Sequence, residues 1–210
     1  MKKPLKCGII GYGYMGEIRH RVIRDHPKLE LSVICEADPE KMFNQKFFLV
    51  VSDPKDVIDS NLDVIFVCTP NHLIPELTSR SLGRGKHVFA EKPPGRTLSD
   101  IVSIMNAEKE NPGTKLMFGF NHRYHPGVLK AKAIVDSGRM GKVIALRGLY
   151  GKSGGKHFSK SWRNDLEISG GGILLDQGIH MLDLFNFFLG GFTSVKSFLS
   201  NCQWSFDVED

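Results

Sequence analysis

The chain has 210 residues, 41% hydrophobic and 24% charged, with a net charge of +5 from 28 Lys+Arg against 23 Asp+Glu. That profile belongs to a globular chain of one or two domains, able to bury about 70% of its unfolded surface without disulfides or metal. It excludes a disordered chain, a coiled coil and a disulfide miniprotein, and it excludes a membrane protein, because the longest apolar run is five residues against about 18 for a span.

Up to about residue 120, β-branched runs alternate with helical patterns. Leu5 to Ile10 reads as a strand, Tyr14 to Asp25 as a helix, and Leu31 to Cys35 and Phe48 to Val51 as further strands. The stretch between them, 38–47, is short for a full crossover and leaves room for a helix of a turn or two. A strand follows at Leu62 to Cys68, a helix at Ile74 to Leu82 and a strand at His87 to Ala90. The helix Leu98 to Lys109 is opened by Thr97 with Asp100 three residues on, a capping-box pattern, and Lys115 to Gly119 closes the series as a strand. Such alternation predicts right-handed crossovers and a doubly wound parallel sheet covered on both faces.

Beyond Phe120 the pattern changes. A helix is expected from Pro126 to Asp136, a strand from Val143 to Tyr150, and a Gly/Lys-rich loop from Gly151 to Lys160. The turn Gly170-Gly171-Gly172 then leads into a largely buried apolar helix ending near Leu189, and a last strand is expected at Thr193 to Leu199. The domains expected are 1–120, the α/β part, and 121–210, an incomplete α+β domain with an open sheet. Two strands and two helices are too few to close a covered sheet.

Met1-Lys2-Lys3-Pro4 resembles the start of a signal peptide, but Gly8, Gly11 and Gly13 break the apolar stretch behind it. No export signal is expected, and a cytoplasmic location follows. Cys7, Cys35, Cys68 and Cys202 lack metal-ligand spacing and suit buried thiols in a reducing compartment. The basic residues are dispersed, so a nucleic-acid partner rests on pI alone and is not expected; no membrane partner and no metal are expected either.

Gly11-x-Gly13-x-x-Gly16 lies between the first strand and the first helix. The first glycine permits the tight turn, the second lets a pyrophosphate approach the backbone, and the third lets helix and strand pack closely. The helix start, with Tyr14 and Met15, offers N–H groups and a positive dipole end worth about 0.3–1 kcal/mol to a phosphate at an exposed site. Glu36 lies twenty positions after Gly16, at the end of the second strand. There a carboxylate accepts hydrogen bonds from the adenosine ribose and repels a 2′-phosphate, which favours NAD over NADP; the plain alternative is a solvated loop charge.

Thr69-Pro70-Asn71-His72 and Glu91-Lys92-Pro93 follow the fourth and fifth strands, at the strand ends where open α/β sheets bind ligands. His72 as a helix-start residue and Lys92 as a surface charge are the plain alternatives, and either X-Pro bond after Glu91 is a candidate for cis. Asp176 and His180 are four apart, on one face of the apolar helix. They read as a hydrogen-bonded core pair or as a histidine base oriented by a carboxylate.

These motifs, in this order, resemble the glucose–fructose oxidoreductase/inositol dehydrogenase (Gfo/Idh/MocA) family over about Leu5 to Asp210. The resemblance implies a Rossmann domain followed by an α/β domain whose open sheet carries substrate and subunit contacts, hence a homo-oligomer. It implies hydride transfer between NAD and a secondary carbinol of a sugar, cyclitol or nucleotide sugar. Lys92 would lie near both the reacting carbinol and the nicotinamide C4 of the cofactor, His180 would take the hydroxyl proton, and Asp176 would orient substrate or His180. Thr69, Pro70, Asn71, His72, Glu91 and Asn121 would approach the cofactor, and Arg123 the substrate. Trp162 and Arg163, with the basic loop before them, would receive an anionic group of a sugar acid or nucleotide sugar; a solvated loop is the alternative there. Family members continue well past 300 residues, so a cofactor-binding protein with impaired or no catalysis stands as the second expectation.

Overall fold

The computed structural model describes residues 3–38, 40, 48–151 and 161–210. It comprises two compact units, Met1–Gly119 and Phe120–Asp210. Most of the short crossover 38–47 and of the Gly/Lys-rich loop 151–160 lies outside the described residues.

In the first unit, β1 (Leu5–Ile10), β2 (Leu29–Cys35), β3 (Leu49–Val51), β4 (Val64–Val67), β5 (His87–Ala90) and β6 (Leu116–Phe118) form one sheet in the order β3-β2-β1-β4-β5-β6. Every pairing is parallel. The helices are α1 (Tyr14–Asp25), α2 (Pro54–Asp59), α3 (Ile74–Gly83) and α4 (Leu98–Glu110).

The sheet is apolar on both faces, as helices on both sides require. Cys7 and Ile9 pack with Ile23, Ile34 and Phe66 in one cluster, while Ile10 joins Val33, Val57, Ile65, Leu77 and Val88 in the other. Gly8 lies beneath Leu62 and Val57, where a Cβ would meet side-chain carbons at 2.6 and 2.7 Å, so that layer closes onto bare backbone. The capping box at α4 forms: Asp100 N–H donates to Thr97 Oγ1 at 3.2 Å and Thr97 N–H to Asp100 Oδ2 at 3.1 Å. Sequence reading missed α2, although Asp53-Pro54 announces it: Asp53 Oδ1 accepts Lys55 N–H at 2.8 Å and proline occupies the first turn.

The second unit contains α5 (Pro126–Asp136), α6 (Leu166–Ser169) and α7 (Ile179–Leu189), with a π-helical turn at Leu174–Gly178 leading into α7. The segments 143–150 and 193–199, expected as strands, carry no strand pairing. A strand exists only through a partner's N–H and C=O groups, and no other described segment of this unit supplies them. Ile144, Leu149, Val195 and Phe198 are consequently 94, 96, 76 and 99% exposed. The helix expected to be largely buried is half-exposed, with His180 its one buried residue within α7.

The chain end holds the start of that helix. Glu209 O accepts Ile173 N–H and Glu209 Oε1 accepts Leu174 N–H, both at 3.1 Å, filling acceptor positions that a helix start leaves open. Gly172 permits this, since a side chain there would coincide with the Glu209 backbone. Asp210 in turn accepts the N–H groups of Cys202, Gln203 and Trp204 at 2.7–2.8 Å, which hold its carboxyl below the usual range.

Candidate functional site

In the first unit the sequence-predicted residues collect at the C-terminal edge of the sheet. β1 is followed by Gly11, whose φ of +90° admits glycine readily and other residues rarely. Gly11 N–H donates to Cys35 O at 2.9 Å, which ties the turn to β2. Gly16 packs on the Gly11 carbonyl, and a Cβ at Gly13 would meet nothing within 4 Å. The turn therefore presents open backbone at the α1 N-terminus, where Gly13 is the N-cap and no side chain caps the helix. Tyr14, 76% exposed, and Met15 carry first-turn N–H groups of α1.

Glu36 closes this turn from the β2 side. Its Oε2 accepts Tyr12 N–H at 2.8 Å and its Oε1 accepts Asp38 N–H at 2.9 Å. The carboxylate is thus fixed beside the glycine turn, where it suits two ribose hydroxyls and opposes a 2′-phosphate. Tyr12 Oη lies 2.6 Å from His20 Nδ1 within α1. Burial, then Arg24, lowers the His20 pKa, and burial, then Glu17, raises that of Tyr12.

After β4, Pro70 leads into a helical turn at Asn71–Leu73, in which Asn71 is buried. The buried atoms Thr69 Oγ1 and His72 Nδ1 find no hydrogen-bond partner among the described residues, and a polar ligand at this edge would satisfy them. After β5 comes Glu91, expected to approach the cofactor. Its carboxylate is buried and turned to Arg19 of α1, whose Nε and Nη2 donate to Oε1 at 2.9 and 2.5 Å. Arg19 also lies 4.5 Å over the Phe89 ring. Glu91 accordingly anchors the following Lys92, which is half-buried and joined to Pro93 by a cis peptide bond. Beside the pair, burial raises the Cys68 thiol pKa strongly, and burial pushes Cys35 up to about 12. An open turn, a bracketing carboxylate and two unpartnered buried donors or acceptors fit a dinucleotide.

In the second unit His180, 5% exposed, is the second residue of α7. The ring of His122 stacks on it with centroids 4.0 Å apart and planes 21° from parallel, and Phe120 meets it edge-on at 6.2 Å. Tyr150 stacks on His122 at 5.8 Å. Asp176 Oδ2 accepts Gln177 Nε2 at 2.7 Å, and Arg163 Nε lies 3.8 Å from Asp176 Oδ1. Arg163 stacks at 4.4 Å on Trp162. A cavity of about 470 Å³ opens among Leu149, Tyr150, Gly151 and Gln177.

Arg123 is fastened to Asp183 of α7 by two bonds, Nε to Oδ2 at 2.7 Å and Nη2 to Oδ1 at 2.5 Å; the bonded Asp183 raises its pKa. Asn121 is exposed in the helical turn Asn121–Tyr124. Sequence reasoning missed Arg19, His122, Gln177 and Asp183. Only Asp183 carried a signal, lying one turn after His180 on the same helix.

The sheet order, the glycine turn and the bracketing carboxylate define an NAD-binding Rossmann domain of the oxidoreductase class. The chain belongs to the Gfo/Idh/MocA family: residues 5–120 match its oxidoreductase domain with NAD-binding Rossmann fold, and residues 128–210 match its C-terminal domain. It is similar to levoglucosan dehydrogenase of Pseudarthrobacter phenanthrenivorans, 31% identical across 93% of this chain and 54% of the relative. The D-glucoside 3-dehydrogenase of Escherichia coli is 32% identical across 92% of this chain and 56% of its own. Among solved structures, levoglucosan dehydrogenase in complex with NADH and levoglucosan has a TM-score of 0.90 at 30% identity, covering 99% of this chain and 62% of that one. The chain spans about half the length of the curated relatives it matches.

Proposed function

We propose that the protein is an NAD-dependent dehydrogenase that exchanges hydride between the nicotinamide and a secondary alcohol of a sugar or cyclitol. The observation that carries this reading is His180, a buried imidazole on a helix start, in a family whose first domain binds NAD. The nicotinamide, when bound, supplies the hydride acceptor. Tyr14 and Met15 N–H groups and Gly13 receive the diphosphate, Glu36 the adenosine ribose, and Thr69, Asn71, His72 and Asn121 the remainder of the cofactor. A ring nitrogen of His180 takes the hydroxyl proton, a step worth about 10²–10⁴ in rate. Lys92 stabilises alkoxide character on the substrate oxygen, and Asp176, Arg123, Trp162 and Arg163 orient the substrate. Relatives named for levoglucosan, inositol and D-glucosides support a free sugar or cyclitol, and the Arg163–Trp162 pair keeps an acidic or nucleotide-linked sugar within range.

The reading includes a cytoplasmic homo-oligomer, supported by four free cysteines and by the exposed Ile144, Leu149 and Phe198; light scattering on the purified protein tests the oligomer. The activity is tested by incubating the full-length protein with NAD and a panel of levoglucosan, inositol, methyl glucosides and UDP- or CMP-linked sugars, reading NADH. Lys92→Ala is expected to abolish turnover while cofactor affinity stays within about twofold, since removing one transition-state contact leaves uniform binding intact. NAD binding without NADH formation on any of these substrates would leave only the cofactor-binding reading.

A further inference from the structure

We propose that His122 is a positioning residue for His180, holding the plane of that imidazole by stacking on its face. The proposal rests on the reading of His180 as the base. A histidine's outer torsion is broad and roughly two-fold, so the helix backbone alone leaves open where the ring nitrogens point. Packing against the ring faces constrains it. His122 covers one face of the ring at 4.0 Å and 21°, Phe120 presses edge-on at 6.2 Å and 86°, and Tyr150 backs His122 at 5.8 Å and 28°. The Phe120 and Tyr150 contacts fall in the range of about 4.5–7 Å favoured for aromatic pairs, and the His122 ring lies closer still on the His180 face.

The stack is itself anchored. His122 belongs to the turn Asn121–Tyr124, and the next residue, Arg123, is clamped through two bonds to Asp183, three residues after His180 on α7. The turn that carries the stacking ring and the helix that carries the stacked ring are therefore locked in register. A stack built this way keeps the imidazole aimed while a proton enters or leaves it.

The test compares His122→Leu and His122→Phe in the full-length protein. In the wild type the carbon-bound ring protons of His180, assigned by their disappearance in His180→Asn, should resonate upfield through the ring current of His122. The shift should vanish in His122→Leu and persist in His122→Phe. In turnover, kcat should fall about 10- to 100-fold in His122→Leu, the scale of a misplaced catalytic group, and recover in His122→Phe, with NAD affinity alike in all three. Unchanged His180 resonances in His122→Leu, or no recovery in His122→Phe, would overturn the proposal. Where the leucine variant does not fold, the phenylalanine variant decides alone: a retained upfield shift supports the stack and its loss refutes it. If the wild type oxidises no alcohol, the base reading fails by itself, and the resonances still report whether His122 holds the ring.

Discussion

Arg19 and Glu91 lie 72 residues apart in sequence and meet through two hydrogen bonds onto one carboxylate oxygen, with side chains only 15 and 9% exposed. The pair couples α1, which begins at the glycine turn, to the end of β5, where Lys92 follows. Removing one partner of a buried pair strands the other charge, at about 3–5 kcal/mol. Glu91→Ala is expected to lose stability on that scale in urea unfolding, and the double variant Arg19→Met with Glu91→Met to lose distinctly less. Equal losses would mean that the charge pair is not what holds the two elements.

Glu36 is the next point of leverage. With both oxygens engaged by Tyr12 and Asp38 N–H groups, it is preset for a diol, and charge-assisted hydrogen bonds are worth about 1.5–3 kcal/mol. Glu36→Ala should weaken NAD binding by about 10- to 100-fold in calorimetric titration and narrow the preference for NAD over NADP. An unaltered NAD affinity would move the ribose elsewhere.

His20 gives the first unit a pH dependence of defined sign. Its pKa lies below the ordinary 6.5, mainly through burial, and its Nδ1 sits in hydrogen-bond contact with Tyr12 Oη. Between the folded pKa and 6.5 the unfolded chain binds more protons than the folded one, so stability is complete above 6.5 and declines as pH falls through that window. His20→Phe should flatten this part of a stability–pH curve followed by thermal unfolding. A curve with the same slope as the wild type would exclude His20 as its origin.

Gly172 leaves room for the Glu209 backbone. Gly172→Ala is expected to cost about 1–3 kcal/mol, the usual penalty of an inserted methyl group in a filled space, and to expose the Ile173 and Leu174 amides to faster hydrogen exchange. Protection unchanged at those two amides would show that the chain end does not cap this helix in solution.

Much of the first unit was legible in the residues. Local rules govern its elements: short continuous β-branched runs make the strands, Thr97 and Asp100 cap α4, and glycine at position 11 announces a positive φ. The glycine spacing and Glu36 also marked a dinucleotide turn, because that chemistry needs bare backbone and a carboxylate at short, fixed sequence separations. The motif positions of Lys92, Asp176 and His180 were readable in the same way, as residues of chemical interest.

Their partners were decided by the tertiary structure. Nothing local in the sequence assigns Glu91 to Arg19, His122 to His180 or Glu209 to Gly172, since each contact joins segments separated by tens of residues and depends on how whole elements pack. Strand pairing is non-local too, which is why 143–150 and 193–199 read as strands from their residues yet carry no ladder in this structure. Side-chain pattern writes the propensity of a segment, while hydrogen-bond partners and buried charge pairs are supplied only by the three-dimensional neighbours it acquires.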